Sequence, residues 1–364
     1  MSGLRVAVIG RTGGGNYGHQ LDRAFAVDPR ARIVAVADAD EAAGRDKAAE
    51  LGAPQHYTDH RRMLERERPD IVVVAPRHLD CHQELVLDSL AAGAHVYCEK
   101  PIAQSLAQAD TMVEAAQRAG LRLGNALPFV HEPRFRQVRD LLESGRIGDV
   151  VQYRAVCKWD HRGGGQDFLI LGVHFADMLR RLAGDPVNCF ARVSAGGRPL
   201  SPEHVESGPE AAGLVAGDAI HASYEFGGRL IGTIESWRVG IEERPLQPYR
   251  LEIRGTEGIL TIRAPYADHS LWYYPLPEVI PGGPAWERLE TEEIPFYGRY
   301  HQLAAADFID AVQEGRPPAC SGEDGLAALE MIHAAYRSEL AGGPVAFPLV
   351  NREHPLDKLF AAAH

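Results

Sequence analysis

The sequence predicts an α/β chain of two domains: a doubly wound parallel sheet first, then an α/β domain with an open, mostly antiparallel sheet. Three observations carry this. Short runs that are apolar on both faces (Leu4–Ile9, Arg32–Ala37, Asp70–Ala75, Ala94–Cys98 and one starting at Leu121) alternate with helical patterns, as strands of a sheet covered on both sides must. Near residue 149 the pattern changes to strands with period-two alternation, beginning with Asp149–Cys157, as in sheets with one covered face. The length of 364 residues exceeds one ordinary core.

The elements follow in order. Between the apolar runs, 107–118 is the clearest helix: Ser105 and Gln108 form a capping box and Gly120 follows the end. The division predicted is 1–125 for the first domain, 126–345 for the second and 346–364 as a tail. In the second domain the strand candidates after 149–157 are 187–195, 218–226, 229–236, 249–254 and 258–263. Gly227-Gly228 and Thr256-Glu257-Gly258 supply turns between neighbouring strands. Helices are predicted over 167–182, 300–314 and 325–340, and the Pro/Gly-rich stretch Pro275–Pro284 reads as a surface loop.

Composition narrows the function classes. A formal net charge of −12 opposes nucleic-acid phosphates. Five scattered cysteines without a CxxC spacing point to buried thiols in a reducing compartment rather than a disulfide framework. No apolar run reaches the roughly 18 residues that a membrane span needs, and the start runs directly into a strand pattern without a signal peptide. A cytoplasmic protein without membrane or nucleic-acid partners is expected.

The turn after the first run contains Gly10 and then Gly13-x-Gly15-x-x-Gly18. Glycines there allow backbone N–H groups to approach a pyrophosphate. The turn follows a strand, opens a helical pattern and precedes Asp38 at the end of the second run, twenty positions after Gly18. This is the setting of a Rossmann dinucleotide site. A carboxylate at Asp38 accepts from ribose hydroxyls and repels a 2′-phosphate, so NAD is expected over NADP. Pro76 and Glu99, at the carboxyl ends of the third and fourth runs, join the cofactor set. The turn is about two residues longer than a minimal fingerprint, which leaves the role of each glycine open.

Glu99-Lys100-Pro101, the Gly163-Gly164-Gly165 run before Gly172-x-His174-x-x-Asp177, the Gly255-Thr256-Glu257-Gly258 turn and the C-terminal helices after Phe308 occur in this order along nearly the whole chain. Together they resemble the glucose–fructose oxidoreductase/inositol dehydrogenase family, Gfo/Idh/MocA. The resemblance implies NAD(P)-linked hydride transfer at a carbohydrate or cyclitol carbon, Lys100 and His174 as catalytic residues, and a homodimer or homotetramer built on the open sheet. Elementary chemistry agrees: a histidine suits the hydroxyl proton near neutral pH, and a lysine stabilises developing alkoxide charge. On periodicity alone, His174 reads equally as a core histidine between Leu171, Phe175 and Met178.

One departure matters. The family carries an aspartate four residues before its histidine, whereas this chain has Ile170 there. On a helix Asp167, Ile170, His174 and Asp177 fall on roughly one face, which leaves two readings: Asp167 lies one turn further out and serves a substrate hydroxyl instead, or the dyad is gone and the chemistry has drifted; compensation for Ile170 by Asp167 or Asp177 is open. Asn125, Trp159, Asp160 and His161 complete the candidate substrate set, and no metal site is assigned. Net oxidation is the first functional reading. A redox-neutral reaction with retained NAD, in which transient oxidation permits elimination, hydration or epimerisation, is the alternative. A non-enzymatic sensor is the third.

Overall fold

The computed structural model describes residues 3–239, 249–263, 271–276, 285–292 and 296–362. They form two compact units. The first comprises 1–128, 207–213 and 294–329, and the second 129–206, 214–293 and 330–364. The units are interleaved in sequence, unlike the contiguous division at 125/126, and the 346–364 tail counts with the second.

In the first unit, β1 (Leu4–Ile9), β2 (Ala31–Ala37), β3 (Gln55–Tyr57), β4 (Ile71–Val74), β5 (His95–Cys98) and β6 (Leu123–Asn125) make a parallel sheet in the order β3-β2-β1-β4-β5-β6. The order reverses between β1 and β4, and a crevice at such a switch point is where open α/β sheets take ligands. The helices are α1 (Leu21–Ala24), α2 (Glu41–Leu51), α3 (His60–Glu67), α4 (His82–Ala91) and α5 (Leu106–Ala119). β4 is buried at all four positions, as its apolar run requires. β3 was absent from the expected strands, because Gln55-His56-Tyr57 has no apolar run. α9 (Phe296–Glu314) explains the interleaving. Its Phe308 is fully buried and meets Phe25 and Tyr97, with ring centroids 6.2 and 5.3 Å away. Burying such rings stabilises by about 2–3 kcal/mol each, enough to fix the helix in this core.

The second unit contains α6 (Pro133–Glu143), β7 (Val150–Val156), α7 (Gly165–Ile170), α8 (Gly172–Ala183), β8 (Asn188–Ala195), β9 (Arg198–Pro199), β11 (Leu214–Ala216), β12 (Ala219–Glu225), β13 (Ile231–Trp237), β14 (Arg250–Gly255), β15 (Gly258–Arg263), β16 (Leu271–Pro275), β17 (Glu287–Leu289), β18 (Val345–Ala346) and α11 (Asp357–Ala361). The short strand β10 spans Val205–Ser207 and the helix α10 spans Gly322–Ala341. The main sheet runs β17-β16-β15-β14-β7-β13-β12-β8-β18. Its pairs are antiparallel except β7 with β13. One face is covered by helices: the Tyr224 hydroxyl donates to Met331 O (2.9 Å) and Ala191 N–H to Ser338 Oγ (2.9 Å). On β13, Glu235 takes a two-pronged bond from Arg154 of β7 at 2.8 and 3.0 Å. Both expected turns join neighbouring antiparallel strands. Of the expected loop 275–284, Pro275 ends β16 and 277–284 lie outside the described residues.

The single helix expected over 167–182 is two helices. They break at Leu171 (φ −98°). A Cβ on Gly172 would lie 3.0 Å from Ile332 Cδ1, so the glycine admits α10 against the start of α8. Asp167 and Ile170 thus belong to α7, and His174 and Asp177 to α8.

Candidate functional site

The first unit offers the dinucleotide turn. Gly13 and Gly15 have φ of +77° and +91°, a region that glycine enters without steric cost. A Cβ at Gly15 would stand 2.5 Å from the amide nitrogens of Arg77 and His78, and one at Gly18 would stand 2.6 Å from Ala75 O. A Cβ at Gly13 would meet nothing within 4 Å. Gly10 faces the Tyr17 ring, which its Cβ would enter. The four glycines thus have separate roles: Gly15 and Gly18 permit close backbone approach, Gly13 permits the turn's φ, and Gly10 makes room for Tyr17. Together they let the turn pack tightly against the segment after β4, beside the sheet's switch point, where such folds take a dinucleotide. The helix expected after the turn is short: α1 spans only Leu21–Ala24, and Gln20 before it is left-handed.

Asp38 is buried just beyond β2. Its carboxylate accepts from Thr12 N–H (3.0 Å), Thr12 Oγ1 (2.7 Å) and Asp40 N–H (3.0 Å). It therefore fixes the glycine turn. Tyr17, half-buried below the turn, has its phenol raised by burial and by Asp38. Neither Thr12 nor Tyr17 was singled out from the sequence; their positions inside the glycine turn were the available signal.

The Pro76 carbonyl accepts from His82 Nε2 at 2.8 Å, and the other ring nitrogen of His82 lies 3.1 Å from Pro101 O. His82 thus ties the segment after β4 to the segment after β5. Glu99 is fully buried, accepts from Lys100 N–H and pairs with His19 Nδ1. Burial alone would raise its carboxyl, but His19, Lys100 and His301 reverse this and hold it well below the usual carboxylate range. Lys100 is itself buried. Asn125 is buried at the end of β6 and donates to the carbonyls of Cys98 and Glu99, both at 3.1 Å. Its amide braces the segment that carries Lys100.

In the second unit, His174 is the third residue of α8, buried and stacked on Phe129 with centroids 4.3 Å apart and planes 16° apart. Tyr249 continues the stack beyond Phe129 at 6.3 Å, and Lys158 Nζ lies 5.9 Å from the Tyr249 centroid. Asp167 is buried and accepts from Lys158 N–H at 2.8 Å, with Lys158 Nζ 4.0 Å away. Burial pushes the Asp167 carboxyl up to about 6, against the pull of Lys158, while burial lowers the Lys158 ammonium. Lys158 and the aromatic pair were missed from the sequence because Phe129 and Tyr249 lie far from His174 along the chain.

The other candidates separate. Asp160 is buried and held by Arg162 through its backbone N–H (2.8 Å) and Nε (3.2 Å). His161 beside it is exposed. Trp159 packs on Trp237 with centroids 5.6 Å apart, and its Nε1 is buried with no hydrogen-bond partner among the described residues. Asp177 pairs with Arg181 Nε at 3.1 Å within α8, an i,i+4 arrangement.

The Gfo/Idh/MocA oxidoreductase family matches the chain twice: its NAD-binding Rossmann fold over residues 4–127 and its C-terminal alpha/beta domain over 139–347. The chain belongs to this family. It is an NAD-dependent oxidoreductase, and the turn with Gly10, Gly13, Gly15 and Gly18 lies in the NAD-binding half. A myo-inositol 2-dehydrogenase from Thermotoga maritima is 28% identical over 347 residues, 92% of this chain and 96% of that protein. A 2,7-anhydro-N-acetylneuraminate hydratase from Mediterraneibacter gnavus is 36% identical over 154 residues, 42% of this chain and 38% of that protein. A solved levoglucosan dehydrogenase, in complex with NADH and levoglucosan, shares the fold with a TM-score of 0.76 at 21% identity, covering 95% of this chain and 100% of its own. Among the described residues no helix is long and apolar enough to cross a membrane.

Proposed function

We propose that this oxidoreductase oxidises a secondary hydroxyl of a sugar, glycoside or cyclitol, with His174 as acid/base and Lys100 as the group that stabilises alkoxide charge. The observation that carries the reading is His174 itself: a buried imidazole held flat on Phe129 at the start of α8. An imidazole so fixed takes the hydroxyl proton without reorientation. A lysine ammonium near an oxygen that gains charge lowers the barrier to its ionisation. Bound NAD supplies the hydride acceptor. The inositol and levoglucosan dehydrogenases among the relatives support this substrate class. Asp38 and Glu99 order the cofactor turn, Pro76 lines the crevice beside it, and Asp167 and Trp159 lie along the substrate wall.

The test is turnover of myo-inositol, levoglucosan and a wider polyol and glycoside panel by wild type and His174→Ala. Loss of one acid/base group costs about 10²–10⁴-fold in turnover, with NAD affinity unchanged. Wild-type rates in the variant would remove His174 from the mechanism.

The redox-neutral alternative is favoured by Ile170, which leaves His174 without the family's aspartate, and by the hydratase relative. Product formed without NADH accumulation selects it, whereas stoichiometric NADH selects net oxidation. We further propose a cytoplasmic homodimer or homotetramer. Light scattering on the purified protein tests the assembly, and a monomeric mass would exclude it.

A further inference from the structure

A polyol offers several secondary hydroxyls of nearly equal chemistry, so an acid/base alone does not decide which one reacts. The choice falls to groups that hold a second, non-reacting hydroxyl at a set distance from the acid/base. The second unit carries a pair suited to this. Lys158 lies two residues beyond β7, and Asp167 is the third residue of α7. The Lys158 backbone fixes the Asp167 carboxylate, its N–H donating to Oδ2 at 2.8 Å. Backbone bonds hold Asp167 itself: its N–H donates to Arg162 O at 3.1 Å, and its carbonyl accepts from Leu171 N–H at 2.9 Å.

The other carboxylate oxygen, Oδ1, stands 4.0 Å from Lys158 Nζ. That separation makes an ion pair but exceeds a hydrogen bond. A hydroxyl oxygen about 2.8 Å from both atoms would accept from the ammonium and donate to the carboxylate, using both of its functions at once. Burial disfavours both charges, pushing the Asp167 carboxyl up to about 6 and lowering Lys158, so such a hydroxyl replaces hydration that folding removed. The other charges acting on the pair, Asp160 and Arg162, bond each other at 2.8 and 3.2 Å. A cation beside an anion suits a neutral hydroxyl, whereas a substrate carboxylate there would meet Asp167. The pair also stands in register with His174. Lys158 Nζ lies 5.9 Å from the Tyr249 centroid, Tyr249 is parallel to Phe129 within 7°, and Phe129 to His174 within 16°. Ammonium and imidazole are thus seated on one aromatic pair, which sets their separation.

We propose that Lys158 and Asp167 hold one non-reacting hydroxyl of a neutral polyol, Nζ donating to it and Oδ1 accepting from it, and thereby select the carbinol presented to His174. This rests on the reading of His174 as the acid/base of a dehydrogenase. It makes the two residues specificity-determining and narrows the substrate class to neutral sugars, glycosides and cyclitols over sugar acids.

Steady-state kinetics of the full chain with NAD and myo-inositol or levoglucosan, and with the monodeoxy analogues of each, test this. In wild type, one non-reacting position is expected to stand out, its deoxy analogue losing roughly 10–100-fold in kcat/KM, the scale of a hydroxyl bonded to charged groups. Lys158→Met is expected to raise KM for the parent polyol by a similar factor and to erase the discrimination against that analogue. It is also expected to oxidise more than one carbon, read by NMR of the ketone products, a change that a merely structural role would not produce. Asp167→Asn keeps an acceptor oxygen and should retain part of the selectivity. Thermal melts and NAD titration establish that each variant is folded and takes the cofactor, and the same readouts on Asp167→Asn decide the case if Lys158→Met does not fold. A Lys158→Met variant with wild-type KM and a single product overturns the proposal, as does one that penalises the same analogue as wild type. Wild type that turns over neither parent polyol overturns the dehydrogenase reading itself, a distinct result.

Discussion

Gly15 is the residue of the turn that a single methyl group would break. Its φ of +91° is closed to most L side chains, and its Cβ would stand 2.5 Å from two backbone nitrogens. Backbone atoms at that distance cannot step aside cheaply. Gly13 has a similar φ of +77° but open space around it. Gly15→Ala is therefore expected to abolish NAD binding and lower the melting temperature. Gly13→Ala should cost only the left-handed strain of about 1–2 kcal/mol and keep NAD affinity within a few fold. Calorimetry and thermal melts on the two variants check this, and equal losses would mean that φ alone governs the turn. Sequence spacing singled out both glycines but could not rank them, because the neighbours that rank them, Arg77 and His78, come from the segment after β4. Asp38 is similar. Its position after β2 was legible, whereas its bonds to Thr12 depend on how a lengthened turn folds back.

At the level of elements, legibility followed whether the signals were local. Helix α5 was readable because its start and stop are written in its own residues. Ser105 and Gln108 form the reciprocal cap, and Gly120 closes the end with φ +66°. Ser105→Ala is expected to destabilise the chain by about 1 kcal/mol, measured by denaturant titration; no loss would show that Gln108 alone suffices at this end. The break between α7 and α8 at Leu171 was not readable, because no proline or capping side chain marks it. Strand β3 was missed for a simpler reason, since a three-residue edge strand carries too few side chains to show a period. Lys158 became visible only through the sheet and stack that bring it to Tyr249 and Asp167.

The whole molecule combines two units with different responses to acid. In the second, His333 is fully buried and packs on His354 with centroids 4.8 Å apart. Among the described residues neither ring nitrogen of His333 finds a hydrogen-bond partner. Burial, then the neighbouring His354 and arginines, pushes His333 well below the ordinary histidine range. Burial and Arg337 lower His354 from 6.5 to about 4. Both rings are neutral when folded and bind protons when unfolded. Their stabilisation is thus present above pH 6.5 and lost as pH falls towards 4. For His354 alone the loss is roughly 3 kcal/mol. Asp167, raised to about 6, acts with the opposite sign, since the folded state holds its proton longer than the unfolded chain. It offsets part of the loss between about pH 6 and 4. In the first unit Glu99 is held low by His19, so its contribution persists until pH falls below the ordinary value of 4.5. The second unit should therefore weaken first on acidification. All four tryptophans, Trp159, Trp237, Trp272 and Trp286, lie in that unit, so their emission reports it selectively. Urea titrations at pH 7 and pH 5 are expected to show the tryptophan midpoint falling by more in wild type than in His354→Gln, which removes one of the two rings. Equal falls in both proteins would place the acid sensitivity elsewhere, and a midpoint that rises on acidification would make Asp167 the dominant group.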